Sequence, residues 1–240
     1  MYDRFDQQAR MTLCHPSFAE TPIGRKRHAG GEHLARHCHR EAFAALLLAG
    51  TYVEAGDRGR VRVGPGDVVF HEAYESHLDM VGSGGAVVLV LPGAITESCD
   101  AGYVADVDFI ARIAERDPVE AAQHLITNLR PARRRLSDWP DRLAADLRAD
   151  PSLAIHHWAD AAGLRHESIS RGFRRAYGIT PLAFRARARA LKALAILTSQ
   201  ESLACIAAAC GFADQAHMSR SIRSLTGLTP REFLARPQAN

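Results

Sequence analysis

Near its C-terminal end the chain writes one phrase twice, GITPLAF at 178–184 and GLTPREF at 227–233, forty-nine positions apart. A serine–arginine pair precedes each copy at the same offset, Ser170-Arg171 and Ser219-Arg220. Ahead of those stand WADAAGL (158–164) and IAAACGF (206–212), offset by forty-eight. So many matches at a near-constant spacing predict a duplicated unit over residues 152–236. Each copy reads as helix, short turn, helix. In the first, Trp158, Ala159 and Ala162 mark one buried face, Gly163 permits the turn, and Ile169 and Phe173 give the i, i+4 face of a second helix. In the second, Ile206, Ala207 and Cys210 precede Gly211, and Met218 and Ile222 repeat the pattern. Two short helices crossing at a small-residue turn is the geometry that lets the second helix enter a DNA major groove.

The repeated phrase is the punctuation that closes each unit. Gly178 or Gly227 suits a left-handed helix end, Thr180 or Thr229 an N-cap, and Pro181 or Pro230 the first position of the next helix. Thr229 and Glu232 have capping-box spacing. Phe184 and Phe233 are expected to pack that next helix back on its own unit.

Charge is distributed to match. Residues 1–150 hold 18 Lys and Arg against 22 Asp and Glu, whereas residues 151–240 hold 12 against 5. The basic charge is thus gathered in the duplicated half, an ordinary footprint of nucleic-acid contact, with a merely solvated basic face as the alternative. At 240 residues and 47% hydrophobic, the chain is long enough for two domains. Its longest apolar runs are too short to span a bilayer, and MYDRFDQQAR lacks a signal-peptide hydrophobic segment, so a cytoplasmic protein without a membrane partner is expected. The five cysteines, Cys14, Cys38, Cys99, Cys205 and Cys210, show no metal-ribbon or CxxC spacing and read as reduced thiols.

The first half has a different texture. TYVEA, RVRV, DVVF and AVVLVL, separated by AGDRG, GPGD and GSGG, predict short strands of an antiparallel barrel or sandwich. After Asp106 the pattern turns helical in VDFIARIAERD, PVEAAQHLITNL and WPDRLAADLRAD, with Pro118, Pro131 and Pro140 where helices begin or break. The domain boundary is expected within 130–150, with PARRR as an exposed connection.

SLACIAAACGFADQAHMSRSIRSLTGLTPREF (202–233) resembles the signature of the AraC/XylS family of bacterial transcription regulators, and the likeness extends over the domain from about residue 137. The resemblance implies an α+β protein. Its DNA-binding domain would occupy 137–240, with helix-turn-helix units at about 154–177 and 202–226 joined by a linker helix at 181–199. It further implies double-stranded DNA as partner, a homodimer, and contact with RNA polymerase. Ala216, Met218 and Ile222 depart from the family's usual serine and phenylalanines, and Gly172 weakens the first recognition helix by up to about 1 kcal/mol relative to alanine. Helical phase then sorts the candidate DNA-binding residues. With Ile169 and Phe173 inward, Glu167, Ser170 and Arg171 point away, Arg174 and Arg175 lie toward the helix end, and His166 stands at its start. With Met218 and Ile222 inward, the corresponding set is Gln215, Ala216, His217, Ser219, Arg220 and Arg223. Arginine and glutamine read guanine and adenine edges in pairs of hydrogen bonds, which favours Arg171, Gln215 and Arg220 as base readers. A phosphate contact or a solvated charge is the alternative for each. Arg185, Arg189 and Lys192 form one stripe of the linker helix and are expected to hold phosphates or stay in solvent.

HLARHCHREAFAALLLAG and GRVRVGPGDVVFHEAYESH together resemble the small β-barrel called cupin, which implies an effector-sensing domain at 1–105 and a helical linker or dimer contact at 106–136. His37 and His39 are two apart and share a strand face. With His77 they form a candidate site for Zn²⁺, Fe²⁺ or Ni²⁺, although Phe43 and Ala44 stand where an acidic ligand is expected. The alternative is that His37, His39, His71 and His77 line a pocket for a small organic effector, or merely satisfy hydrogen bonds. Cys38 alternates to the opposite face. Without a Ser/His/Asp or paired-carboxylate motif the chain is not expected to be an enzyme. A cupin oxygenase or isomerase with a DNA-binding tail, and a constitutive architectural DNA-binder, are the competing readings.

Overall fold

Strands form where Val and Leu alternate with smaller or polar residues. The computed structural model describes residues 18–93, 101–131, 136–197 and 200–236. Cys14, Cys99 and residues 132–135 of the expected connection lie outside them. Eight strands pair into one sheet: β1 (Gly24–His28), β2 (His33–Cys38), β3 (Phe43–Gly56), β4 (Gly59–Val63), β5 (Asp67–His71), β6 (Ser76–Pro92), β7 (Ala101–Tyr103) and β8 (Arg130–Pro131). Their order is β1-β6-β3-β5-β7-β8, with β2 on β6 and β4 on β3, and the ladders are antiparallel.

GSGG, expected to separate two strands, runs inside β6 instead, and LLLAG and TYVEA merge into the single 14-residue β3. The two long strands bend together where their register shifts, at Gly50 (φ +82°) and Gly85 (φ +77°). A Cβ on Gly50 would lie 2.0 Å from the Gly85 carbonyl oxygen, so the close approach excludes any other residue there.

Alternation then divides the side chains into two buried sets. Ala44, Leu46, Val68, Phe70, Leu89 and Leu91 face one way and pack against α1 (Val107–Ala114) and α2 (Pro118–Thr127), through Ile110, Ala111, Ala121, Ala122 and Leu125. Phe43, Ala45, Leu47, Tyr52, Val88 and Val90 face the other way, and all of them but Leu47 wall a cavity. The two helices therefore belong to the same compact unit as the sheet. That unit reaches Ser137, and a second begins at Asp138.

The second unit is helical: α3 (Trp139–Ala149), α4 (Ile155–Ala161), α5 (His166–Tyr177), α6 (Pro181–Ile196), α7 (Leu203–Ala209), α8 (Gln215–Thr226) and α9 (Pro230–Leu234). The repeated phrase behaves as its residues require. Gly178 and Gly227 end α5 and α8 at φ +73° and +80°, Thr180 caps α6, and Thr229 with Glu232 closes a capping box on α9. Phe184 is fully buried against Phe173 and Tyr177, with ring centroids 5.4 and 5.3 Å away. Phe233 is only half-buried.

Candidate DNA interface and sheet-domain pocket

Two helix-turn-helix units stand in the second domain, α4–α5 and α7–α8. Gly163 and Gly211, at φ +66° and +72°, make their turns without strain. The inward faces are Ile169, Phe173, Ala176 and Tyr177 on α5, and Met218, Ser221, Ile222, Leu225 and Thr226 on α8. This leaves Glu167, Ser170, Arg171, Arg174 and Arg175 exposed on α5, and Gln215, Ala216, Arg220 and Arg223 exposed on α8. His217 and Ser219 are half-buried, and the His217 ring meets Phe212 edge-on at 5.3 Å. His166 is exposed, but its Nε2 lies 2.9 Å from Asp160 Oδ1, an intramolecular partner that competes with any base. Asp214 caps α8 by accepting from the His217 backbone N–H at 2.6 Å, which orients the first turn carrying Gln215 and Ala216.

The linker helix α6 packs against α3, α5, α7 and α8, and so positions both units. Its arginines differ from expectation. Arg185 Nη1 donates to the Leu153 carbonyl at 3.2 Å and Arg189 Nη2 donates to that of Pro151, so both tie down the loop that enters α4. Those carbonyls lie in the turn just before α4. Lys192 stays exposed.

Gly172 also acquires a reason. A Cβ there would fall 2.4 Å from Cζ2 of Trp139, so α5 accepts a poor helix former to let the indole of α3 lie on it. Two further contacts hold α3: Tyr177 donates to Asp141 at 2.9 Å and Trp158 donates to Asp146 at 2.7 Å.

In the first domain the four predicted histidines converge. His37 and His77 are direct partners across β2 and β6, and their rings lie 4.4 Å apart. His39 is 5.0 Å from His37 and 5.5 Å from His77. One nitrogen from each of the three comes within 4.8 Å of the others. His37 donates through Nδ1 to the Ala35 carbonyl at 2.9 Å, and His39 Nδ1 pairs with Thr21 Oγ1 at 3.0 Å, so both rings are oriented by outer partners. His71 sits beside this triad, 4.4 Å from His77 and stacked on Phe43 at 4.3 Å.

Two residues here were not anticipated. Glu54 and Asp79 line the same cavity of about 90 Å³, with Glu54 Oε2 3.5 Å from His71 Nε2 and Asp79 Oδ2 3.6 Å from His77 Nε2. The signal was present in the strand period: Tyr52-x-Glu54 and His77-x-Asp79 each put two polar groups on one face. Phe43, at the place where an acid was expected, forms apolar wall instead.

Burial governs the charge state of these groups. Desolvation, reinforced by His37 and Lys26, pushes His39 down to about 4, and desolvation with the neighbouring imidazoles pushes His71 down to about 3 and His77 well below its ordinary value. Burial raises Asp79 to about 7, and burial with the facing Asp79 raises Glu54 well above the usual carboxylate range.

Comparison with known proteins bears on the helical unit. The family described as Helix-turn-helix domain matches residues 158–236. Among solved structures, a probable AraC family transcriptional regulator from Rhodopseudomonas palustris is 27% identical, covering 40% of this chain and 94% of its own, with a TM-score of 0.36. ToxT from Vibrio cholerae, bound to an unsaturated fatty acid, is 11% identical over 89% of this chain and 94% of its own, with a TM-score of 0.41. The C-terminal domain of AraT, a response regulator from Geobacillus stearothermophilus, is 19% identical over 44% of this chain and 91% of its own, with a TM-score of 0.40. No curated protein matches significantly. With two glycine-turned units, two second helices that each end on a left-handed glycine and this family match over the same residues, 158–236 are a helix-turn-helix domain of the AraC type.

Proposed function

We propose that the chain is a sequence-specific DNA-binding transcriptional regulator whose operator affinity responds to a small ligand held in the sheet domain's pocket. The observation that carries the first part is the pair of recognition helices presenting Arg171, Gln215 and Arg220 to solvent while their opposite faces are buried. Their arginine and glutamine termini suit guanine and adenine edges, and the surrounding Arg174, Arg175 and Arg223 suit phosphates. The part-polar cavity supports the second part. A coupling of only about 1–3 kcal/mol between pocket and DNA changes affinity roughly 5- to 150-fold. Selection of bound DNA from a random pool, with and without candidate ligands, tests both parts. A recovered site with two half-sites one helical turn apart, shifted in affinity by a ligand, is the expected result. Recovery of no preferred sequence overturns the first part, and an unchanged affinity with every ligand that binds overturns the second. The reading extends to a homodimer that acts on RNA polymerase, checked by light scattering and by transcription from the recovered site.

A metal is the second reading for the pocket, favoured by the three convergent imidazoles. The donor set fits Zn²⁺, Fe²⁺ or Ni²⁺: the rings are held neutral, His37 and His39 are oriented through Nδ1, and His77 Nδ1 is buried without a partner. His37, His39 and His77 would hold the ion. Metal content after equilibration with each ion, in the parent and in His77→Ala, decides it: stoichiometric metal lost in the variant supports the site, and none in either removes it.

A further inference from the structure

The pocket holds an arrangement that neither reading uses. Glu54 on β3 and Asp79 on β6 face each other directly across the antiparallel ladder. Both line the cavity, and they are only 5% and 8% exposed. Like-charged groups directly opposite each other repel, and burying a carboxylate without a cation is costly. Arg36 draws Glu54 down through space, but by less than burial and Asp79 push it up. Arg36 spends its guanidinium on Asp57, on Ser76 and on the Ala55 carbonyl. Lys26 lines the same cavity, but its charge is felt at His37 and His39.

A second observation points into the same space. Asp79 Oδ1 and His77 Nδ1 are both buried with no hydrogen-bond partner, and His77 is 5% exposed. Orphaned buried polar atoms are rare in folded proteins and call for an unseen partner. The same cavity also has an apolar lining, which includes Phe43, Val88 and Val90.

We propose that the cavity takes a small organic cation, an amine whose ammonium group sits at Glu54 and Asp79 and whose apolar body lies against Phe43, Val88 and Val90. This deepens the effector reading above and rests on it. An ammonium brings three N–H donors on one compact charge, which gives the carboxyl pair a counter-ion when it ionises and Asp79 Oδ1 a donor. An anionic ligand would instead face two carboxyl groups. A metal ion would take its nitrogen donors from the imidazole triad, so the two ligand chemistries use different side chains of one cavity.

The full chain, stripped with a chelator, is titrated by calorimetry and followed by thermal unfolding. The probes are n-butyl-, cyclohexyl- and benzylammonium, the matching alcohols and carboxylates, and Zn²⁺ alone. Binding of at least one ammonium at least tenfold tighter than its alcohol and carboxylate is expected. In Asp79→Asn and in Glu54→Gln that binding weakens at least tenfold. Both variants keep the size of the protonated side chain and are expected to unfold cooperatively, and a third, Val88→Ala, weakens binding through the apolar wall alone. Alcohols binding as well as amines, carboxylates or Zn²⁺ binding while every amine is silent, or amine affinity unchanged in both carboxyl variants, overturns the proposal. Operator affinity measured in the same samples separates the two claims. An amine that binds through the carboxyl pair without altering operator affinity leaves the subsite standing and sinks the regulatory reading. Operator affinity that answers another ligand while amines are silent does the reverse.

Discussion

Glu167 stands in the first turn of α5, exposed, on a helix otherwise rich in arginine. A carboxylate on a DNA-facing surface is unfavourable against phosphates, and it suits a base that presents an amino group, cytosine N4 above all. Glu167→Gln is therefore expected to move the preferred base at one operator position from cytosine toward adenine, read by binding selection. An equal gain in affinity on every sequence would show a plain charge effect instead. At the matching place in the second unit is Ala216, which has no such preference and suits a thymine methyl. Arg220→Ala is expected to lose about 1–3 kcal/mol on its best site, with a loss that depends on the base at one position. Uniform losses across sequences, with a shallower salt dependence, would assign Arg220 to a phosphate. The exposed faces of these helices were legible from helical phase alone, because Ile169, Phe173, Met218 and Ile222 fix which side is inward. The ties that withdraw Arg185, Arg189 and His166 were not, since their partners at 151, 153 and 160 are brought near only by folding.

Elements behave as their ends dictate, except where another element presses on them. Thr229→Ala removes the acceptor for the Glu232 backbone N–H and is expected to cost about 1 kcal/mol, measured by urea unfolding. The Glu232 carboxyl is held below its ordinary value by the Thr229 backbone and side chain, so part of this stability is present above pH 4 and is lost on acidification. Gly172→Ala tests the opposite case. Helix propensity alone predicts a gain of up to about 1 kcal/mol, but the added Cβ meets the Trp139 ring at 2.4 Å. A net loss of about 1–3 kcal/mol is expected, and Trp139→Leu in the same chain is expected to recover most of it. A gain in the single variant would show that the indole is free to move. The long strands tell the same story. GSGG has the composition of a turn, yet β6 continues through it, because Gly50 on the facing strand bends at the same level and the ladder resumes beyond.

At the scale of the whole molecule, the pocket makes stability depend on pH with opposed signs. Asp79 ionises near 4 in an unfolded chain but holds its proton to about 7 in the fold. Between those values the unfolded state has lost a proton that the folded state keeps, so this group lowers stability as pH rises through that window. His39, depressed to about 4, works the other way, and its contribution is lost as pH falls from about 6.5. Asp79→Asn removes only the first slope. In metal-free buffer its stability relative to the parent is expected to climb from pH 4 to 7 and level off above. A flat difference across that range would mean that Asp79 is ionised in the fold.

The duplicated half is written locally. Glycine at a left-handed position, threonine before proline, and apolar residues three or four apart each act over a few neighbouring residues, so the sequence by itself determined two helix-turn-helix units and which way their recognition helices face. The histidines at i, i+2 likewise declared a shared strand face. What only the tertiary structure decided is the chemistry of the pocket. Glu54 and Asp79 are opposed because β3 pairs with β6 in one particular register, and a slip of a single residue would send one of them to the other face of the sheet. That register is set by the packing of both faces, against the cavity on one side and against α1 and α2 on the other. No short stretch of sequence contains it.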